Sequence, residues 1–328
     1  MQRTIRSLAA VAFAGVLAFA VPLAHAASKL VVGTTVWIGY APLYVAVDQN
    51  LFKPHGITVD LKNFSDGSLM PGAVAGKTLD LATVTYDMLA GQVDQGLALK
   101  AVFPIDYSNG GDAMLVDKSV KSMSDLKGKT VAFNELSPSE VLLAYLLQRE
   151  GMSMSDIKPV NVPAEQVGVA LLSGAAAAGV TYEPHITEVL KKDKDKRFIV
   201  NHSSKEVPGL ISDFFIASTD GIAKRRADFE AFFKGYLDGV AAMKKSPAKA
   251  IKSIAKQMGV TEAEVKEQLA LVKIVEGAEL KAMMTDGGSA VSIYKTAPLI
   301  IDTMKAKGQL KSPVVIADTV DPSFVQGF

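Results

Sequence analysis

The sequence predicts an α/β fold with mixed, mostly parallel sheets, and three observations carry that expectation. Strand-like and helix-like segments alternate along most of the chain, the pattern of sheets covered by helices. Several strand segments, among them "LALKAVF", "AMLV" and "LDLATV", are short apolar runs that read as buried. Polar and aromatic residues recur where such strands end, against an otherwise Ala- and Val-rich background.

Taken in order, "KLVVGTTVW" reads as a strand and "APLYVAVDQNLF" as a helix, with Pro42 in its first turn and Gly56 beyond its end. "ITVDLKNF" alternates as a strand, "SLMPGAVAGK" is helical in outline, and "LDLATV" is the next strand. "SMSDLKGKTVAF" holds a capped turn and a strand. In "SPSEVLLAYLLQREG", Ser137 is the N-cap, Pro138 the first helical residue, Glu140 the partner in a capping box and Gly151 the stop. "DIKPVNVP", a small-residue helix and "GVTYEP" follow, then the strand "DFFIAS". From Ala227 onward the chain reads as mostly helix, with start signals at Ser246-Pro247 and Thr261–Glu264.

The N-terminus, "MQRTIRSLAAVAFAGVLAFAVPLAHA", has a basic start at Arg3 and Arg6, an apolar run from Leu8 to Val21, and a small-residue cleavage site at Ala24–Ala26. It predicts a signal peptide over residues 1–26, and so export to a periplasm. A spanning helix needs roughly 20 apolar residues, and this run is shorter and interrupted by Pro22. With no cysteine there is neither a disulfide framework nor a lipid-attachment site. Residues 27–328 suffice for two lobes. The 35 basic and 34 acidic residues nearly balance. With no basic cluster beyond "LKKDKDKR", nucleic acid is an unsuitable partner.

Ligands of open α/β sheets sit beyond the carboxyl ends of the strands. Those positions supply the candidate binding residues: Trp37, Tyr40, Ser65, Asp66, Tyr86, Asp87, Asp106, Asn109, Asp112, Asn134, Glu135, Ser137, Tyr182, Glu183 and Asp213. For several of them a structural role competes: Asp112 suits a turn, Glu135 a helix cap. His55, His185 and His202 are too scattered for a metal spacing, and no nucleophile elbow or phosphate loop is present. No catalytic residue, metal or cofactor is expected.

In this order, the strand-end segments resemble the periplasmic solute-binding proteins of nitrate, taurine and sulfonate ABC importers. The resemblance is carried by "GYAPLYVAVDQNLFKPHGITVDL", "LKGKTVAF", "VTYEP" and the closing "VVIADTVDPSFVQGF". "TYDML", "DYSNGGDAMLV", "NELSPS" and "VPGLISDF" are similar to the branch associated with urea carboxylase. Tyr182 stands where the family usually has tryptophan. The resemblance implies a type II periplasmic binding fold with an interlobe cleft, one lobe built from residues 27–112 and 214–328 and the other from 113–213. It also implies a monomer that hands a small-molecule ligand to membrane permease subunits, without enzymatic activity. A few enzymes share this fold, and they remain the alternative of another class.

Clustered carboxylates in a desolvated cleft repel one another and favour a cation. Guanidinium and amidinium groups meet carboxylates in a planar, two-pronged way. Trp37, Tyr40, Tyr86, Tyr107 and Tyr182 offer aromatic faces. Arginine outside the leader is confined to Arg149, Arg197, Arg225 and Arg226, away from the strand ends. A guanidine-, amide- or amine-like ligand is therefore expected first. Taurine, another sulfonate or an aminopyrimidine remains open, since helix starts at Ser137 and near "FSDGS" also suit an anion.

Overall fold

A computed structural model describes residues 27–328, so the expected signal peptide lies outside the described residues. Among the described residues, eleven strands form two sheets. The first sheet contains β1 (Ser28–Thr34), β2 (Ile57–Asn63), β3 (Leu81–Thr85), β4 (Leu99–Ser108), β10 (Ser212–Ser218) and β11 (Val272–Ile274), in the order β11-β4-β10-β3-β1-β2. The second contains β5 (Asp112–Asp117), β6 (Thr130–Phe133), β7 (Lys158–Asn161), β8 (Ala178–Tyr182) and β9 (Phe198–Ser203), in the order β7-β6-β8-β5-β9.

The expectation of mostly parallel pairing needs correction. β1 pairs in parallel with β2 and β3, and β6 with β7 and β8. The remaining pairings, β10 with β3 and β4, β11 with β4, and β5 with β8 and β9, are antiparallel. For the pairs made by β5 and β10 the reason is the crossing of the chain between sheets. Strands whose carboxyl ends face the cleft run toward it, but a strand entered straight from a crossing must run away from it. β5 and β10 are those strands. Each is inserted inside its sheet, so one reversed strand makes two antiparallel pairs.

Local signals explain most elements. Thr261 and Glu264 form a reciprocal capping box at the start of the helix Glu262–Leu269, and Ser122 with Asp125 does the same for the turn Met123–Leu126. The first helix stops at Asp48 rather than Phe52, and Gly56, at φ +74°, ends the following turn Lys53–His55. Ser137 caps the helix Pro138–Arg149 by accepting from the Ser139 N–H, but Glu140 does not close the expected box. Its carboxylate reaches one residue further back, to the Leu136 N–H at 2.8 Å. β9 and β11 were not expected: β9 exposes Ile199 and Val200, and β11 is too short to show a period. The long helix Thr219–Lys245 starts earlier than Ala227 and kinks at Arg225, whose side chain ties to Asp80 and Asp228.

The core of the first sheet is aromatic. Phe103, Phe215, Phe232, Phe233 and Tyr236 are fully buried, with the Phe103 and Phe233 rings stacked 4.4 Å apart. This packing fixes β4 and β10 side by side. The carboxyl end of β4 and the amino end of β10, carrying Asp106 and Asp213, are thereby set at the cleft.

Candidate functional site

The cleft is a cavity of about 140 Å³ lined from both sheets. Thr35, Trp37, Tyr40, Thr83, Thr85 and Asp213 come from the strand ends and loops of the first sheet. Ser65, Asp66, Gly67, Met70 and Met88 extend that wall. The opposite wall is Asn134, Ser137, Pro138, Pro163, Ala164, Glu165 and Tyr182, and Asp112 and Ile211 stand near the two chain crossings.

The first crossing is only Asn109–Gly111, between β4 and β5. Gly110 has φ +115°, which other residues rarely adopt. A Cβ on Gly111 would lie 2.5 Å from Cη2 of Trp37, so the backbone passes directly beneath the indole. The Asn109 and Gly111 N–H groups donate to the Leu271 carbonyl at 2.9 and 3.0 Å. Ser204 fastens the crossing from the second sheet, its hydroxyl 2.7 Å from that of Ser108 while it accepts from the Gly110 N–H at 2.9 Å.

Trp37 is held on three sides. Its backbone N–H donates to the Tyr44 hydroxyl at 3.1 Å, and its indole N–H donates to Asp106 at 3.1 Å. Its ring meets Tyr182 edge-on across the cleft, with centroids 6.0 Å apart. The Tyr40 hydroxyl donates to Asp213 at 2.5 Å.

The acids define the electrostatics. In the sheet register Asp213 faces Thr85 on one side and Asp106 on the other, and Asp112 faces Tyr182. Asp112 is 2% exposed with one carboxylate oxygen unpartnered, and Asp106 is fully buried with one oxygen unpartnered. Burial pushes the Asp213 carboxyl up to about 8; the Tyr40 hydrogen bond opposes this, and Asp112 and Asp87 add to it. Burial likewise raises Asp112 to about 7 and Asp87 to about 6. Asp106 is held well above the ordinary carboxylate range by burial and by Asp213. Among the described residues, no lysine or arginine lines the cavity. The four arginines among the described residues face elsewhere: Arg149 pairs with Glu206, Arg225 with Asp80 and Asp228, Arg226 with Glu230, and Arg197 donates to the Leu172 carbonyl.

Of the residues expected from the sequence, Trp37, Tyr40, Ser65, Asp66, Asp112, Asn134, Ser137, Tyr182 and Asp213 come together on the cavity wall. The others lie off it. Asp106 sits behind Trp37 as its hydrogen-bond acceptor. Asp87 is buried in the first turn of the helix Tyr86–Asp94, and the Tyr86 hydroxyl pairs with Thr319 at 2.9 Å. Asn109 belongs to the crossing. Glu135 is exposed, its N–H donating to the Asn161 side chain at 3.0 Å. Glu183 turns away to accept from the Thr187 N–H and hydroxyl at the start of the helix His185–Lys192. Glu165, Thr35, Thr83, Met70 and Met88 joined the wall without being singled out. Glu165 follows β7, whose residues are all exposed and gave no apolar strand to mark its end.

Comparison with known proteins agrees with this architecture. A Brucella abortus protein named only as a binding protein is 22% identical over 285 residues, covering 82% of each chain. The taurine-binding periplasmic protein of Escherichia coli is 22% identical over 199 residues, 60% of this chain and 61% of its own. The alkanesulfonate-binding protein of Xanthomonas axonopodis, solved with bound MOPS, superposes with a TM-score of 0.72 at 20% identity, covering 90% of this chain and 98% of that one. The fold is the type II periplasmic binding fold, two α/β lobes about a cleft. The sequence profile of the NMT1/THI5-like family matches residues 37–250, and the chain belongs to that family.

Proposed function

We propose that the protein is the solute-binding component of an ABC importer, acting in the periplasm without chemical turnover, and that its ligand is a small cationic or amide-bearing nitrogen compound. The lobes would be residues 27–112 with 214–328, and 113–213, hinged at Asn109–Gly111 and before β10. The observation that carries the ligand class is the lining itself. Asp66, Asp112, Glu165 and Asp213 face the cavity with no basic side chain among the lining residues. An unpartnered buried carboxylate oxygen on Asp112 is costly in the empty protein and is relieved by a bound N–H donor.

Trp37, Tyr40 and Tyr182 would enclose the ligand, each aromatic face adding about 0.5 to 2 kcal/mol toward a cation. A guanidine- or urea-like compound matches this set, in keeping with the motifs shared with the urea carboxylase-associated branch. Taurine-like zwitterions are the second reading. The helix Pro138–Arg149 starts at the opposite wall, where Ser137 and Pro138 line the cavity and backbone N–H groups suit a sulfonate.

Calorimetric titration of the purified protein with guanidinium chloride, urea, taurine and an alkanesulfonate tests the class. Asp112→Asn should weaken a cationic ligand roughly ten- to hundredfold. Tighter or unchanged binding of a sulfonate by the same variant would discard the cation reading. Turnover of any of these compounds would support an enzyme instead.

A further inference from the structure

We infer that Glu140 is a positioning residue for the cleft, held from the first lobe's carboxyl-terminal segment by Lys307 and Gln309, and that it keeps the strained turn Asn134–Ser137 on the ligand-facing wall. The inference rests on the cleft being the ligand site, but its central claim about the turn does not need a ligand.

The turn is unusual. Leu136 has φ +53° and is 56% exposed. That conformation is unfavourable for a bulky side chain, and no burial of the leucine compensates it. Yet its neighbours Asn134 and Ser137 both line the cavity, so the turn sets the shape of one wall. What fixes it is visible in its hydrogen bonds. Ser137 donates to the Asn134 carbonyl at 2.7 Å, Glu135 N–H reaches Asn161, and Leu136 N–H donates to Glu140 at 2.8 Å.

Glu140 is 4% exposed, and a buried carboxylate needs partners. It finds them on a distant part of the chain. Lys307 forms an ion pair with it, and the Gln309 side-chain amide donates to it at 2.9 Å. Lys307 follows the helix Ile293–Ala306, which packs both on the helix Tyr86–Asp94 beside the first sheet and on the helix Pro138–Arg149 beside the second. The carboxylate therefore joins the tail of the chain to the wall of the cleft, through a residue that does not itself line the cavity.

A purely structural ion pair and a positioning role predict different couplings. Glycine adopts φ near +53° without penalty, so Leu136→Gly removes the strain that Glu140 would counter. The loss of melting temperature caused by Glu140→Ala should then be at least halved in the Leu136→Gly background. Equal losses in the two backgrounds would overturn the inference. If Glu140→Ala alone does not fold, a folded double variant is the same rescue, and failure of both overturns it.

Hydrogen exchange at the Leu136 amide supplies a local readout. It should accelerate about tenfold or more in Glu140→Ala but change little in Glu140→Gln, whose amide oxygen still accepts the bond. Acceleration in both variants, or in neither, refutes the assignment. Guanidinium chloride at millimolar concentration and taurine serve as binding probes. Whichever binds wild type should bind Glu140→Ala about tenfold more weakly, and unchanged affinity would refute the role at the wall. If neither probe binds wild type, the proposed ligand class falls, while melting and exchange still decide the support of the turn.

Discussion

Asp112→Asn should stabilise the ligand-free protein at alkaline pH, and the gain should vanish in acid. Burial holds the Asp112 carboxyl at about 7 in the folded protein against an ordinary value of 3.8. The folded state thus keeps its proton to higher pH than the unfolded chain does. Where the unfolded chain is the more readily ionised, raising the pH favours unfolding. The protein loses stability as pH rises from about 4 to about 7, and the full loss is present above that. About 3 units at 1.36 kcal/mol each set an upper value near 4 kcal/mol, and relaxation around the charge brings the expected loss to about 2 to 4 kcal/mol. Asparagine does not ionise and escapes it. The stability difference between variant and wild type should therefore grow by about 2 kcal/mol or more between pH 4.5 and pH 8. Urea unfolding followed by the single tryptophan, Trp37, measures it at both pH values. Any constant effect of the new amide cancels in this comparison. A difference that does not change with pH would refute the premise that Asp112 ionises at a cost. Paired with weaker cation binding, the expected result would mean that the site holds its acid for the ligand at the expense of the empty protein.

The same acids should make cation binding pH-dependent: guanidinium affinity should rise as pH increases through 7 to 8, where Asp112 and Asp213 lose their protons. Titrations at pH 6 and pH 8.5 that give equal affinity would oppose this. Gly111→Ala places a Cβ against Trp37 and should cost about 1 to 3 kcal/mol of stability along with ligand affinity; thermal melting and titration report the two separately. Ser218→Ala removes the N-cap of the helix Thr219–Lys245, at the end of β10 away from the cleft, and should cost about 1 kcal/mol with ligand affinity unchanged. Periplasmic protein should begin at Ala27 with no lipid adduct, which intact-mass measurement decides. Solution scattering should show a smaller radius with ligand than without, since cross-cleft contacts such as Trp37 with Tyr182 and Lys191 with Glu264 link the two sides.

Local signals were enough for what local chemistry controls. Apolar runs marked β3, β4 and β5, and Ser137-Pro138 and Thr261–Glu264 marked helix starts, because capping and burial act over a few residues. The strand-end rule brought Trp37, Tyr40 and Tyr182 to one cleft because the carboxyl ends of α/β strands converge there, while Asp112 and Asp213 reach it from the amino ends of the reversed strands β5 and β10. Tertiary structure alone decided which acids meet the cavity. Asp106 and Asp112 flank the same short crossing, yet Asp106 is turned behind the Trp37 indole while Asp112 opens onto the ligand space. That choice depends on the β4–β10 register, which is set by aromatic packing of Phe103 with Phe233 and Tyr236, more than a hundred positions away. Strand direction was hidden for the same reason, since a crossing reverses a strand without changing its composition. Glu140 shows the limit most plainly. Its place in the sequence suggests a helix cap, and only the return of Lys307 and Gln309 from the far end of the chain turns it into a support for the cleft wall. A contact between distant segments leaves no periodic trace in either of them.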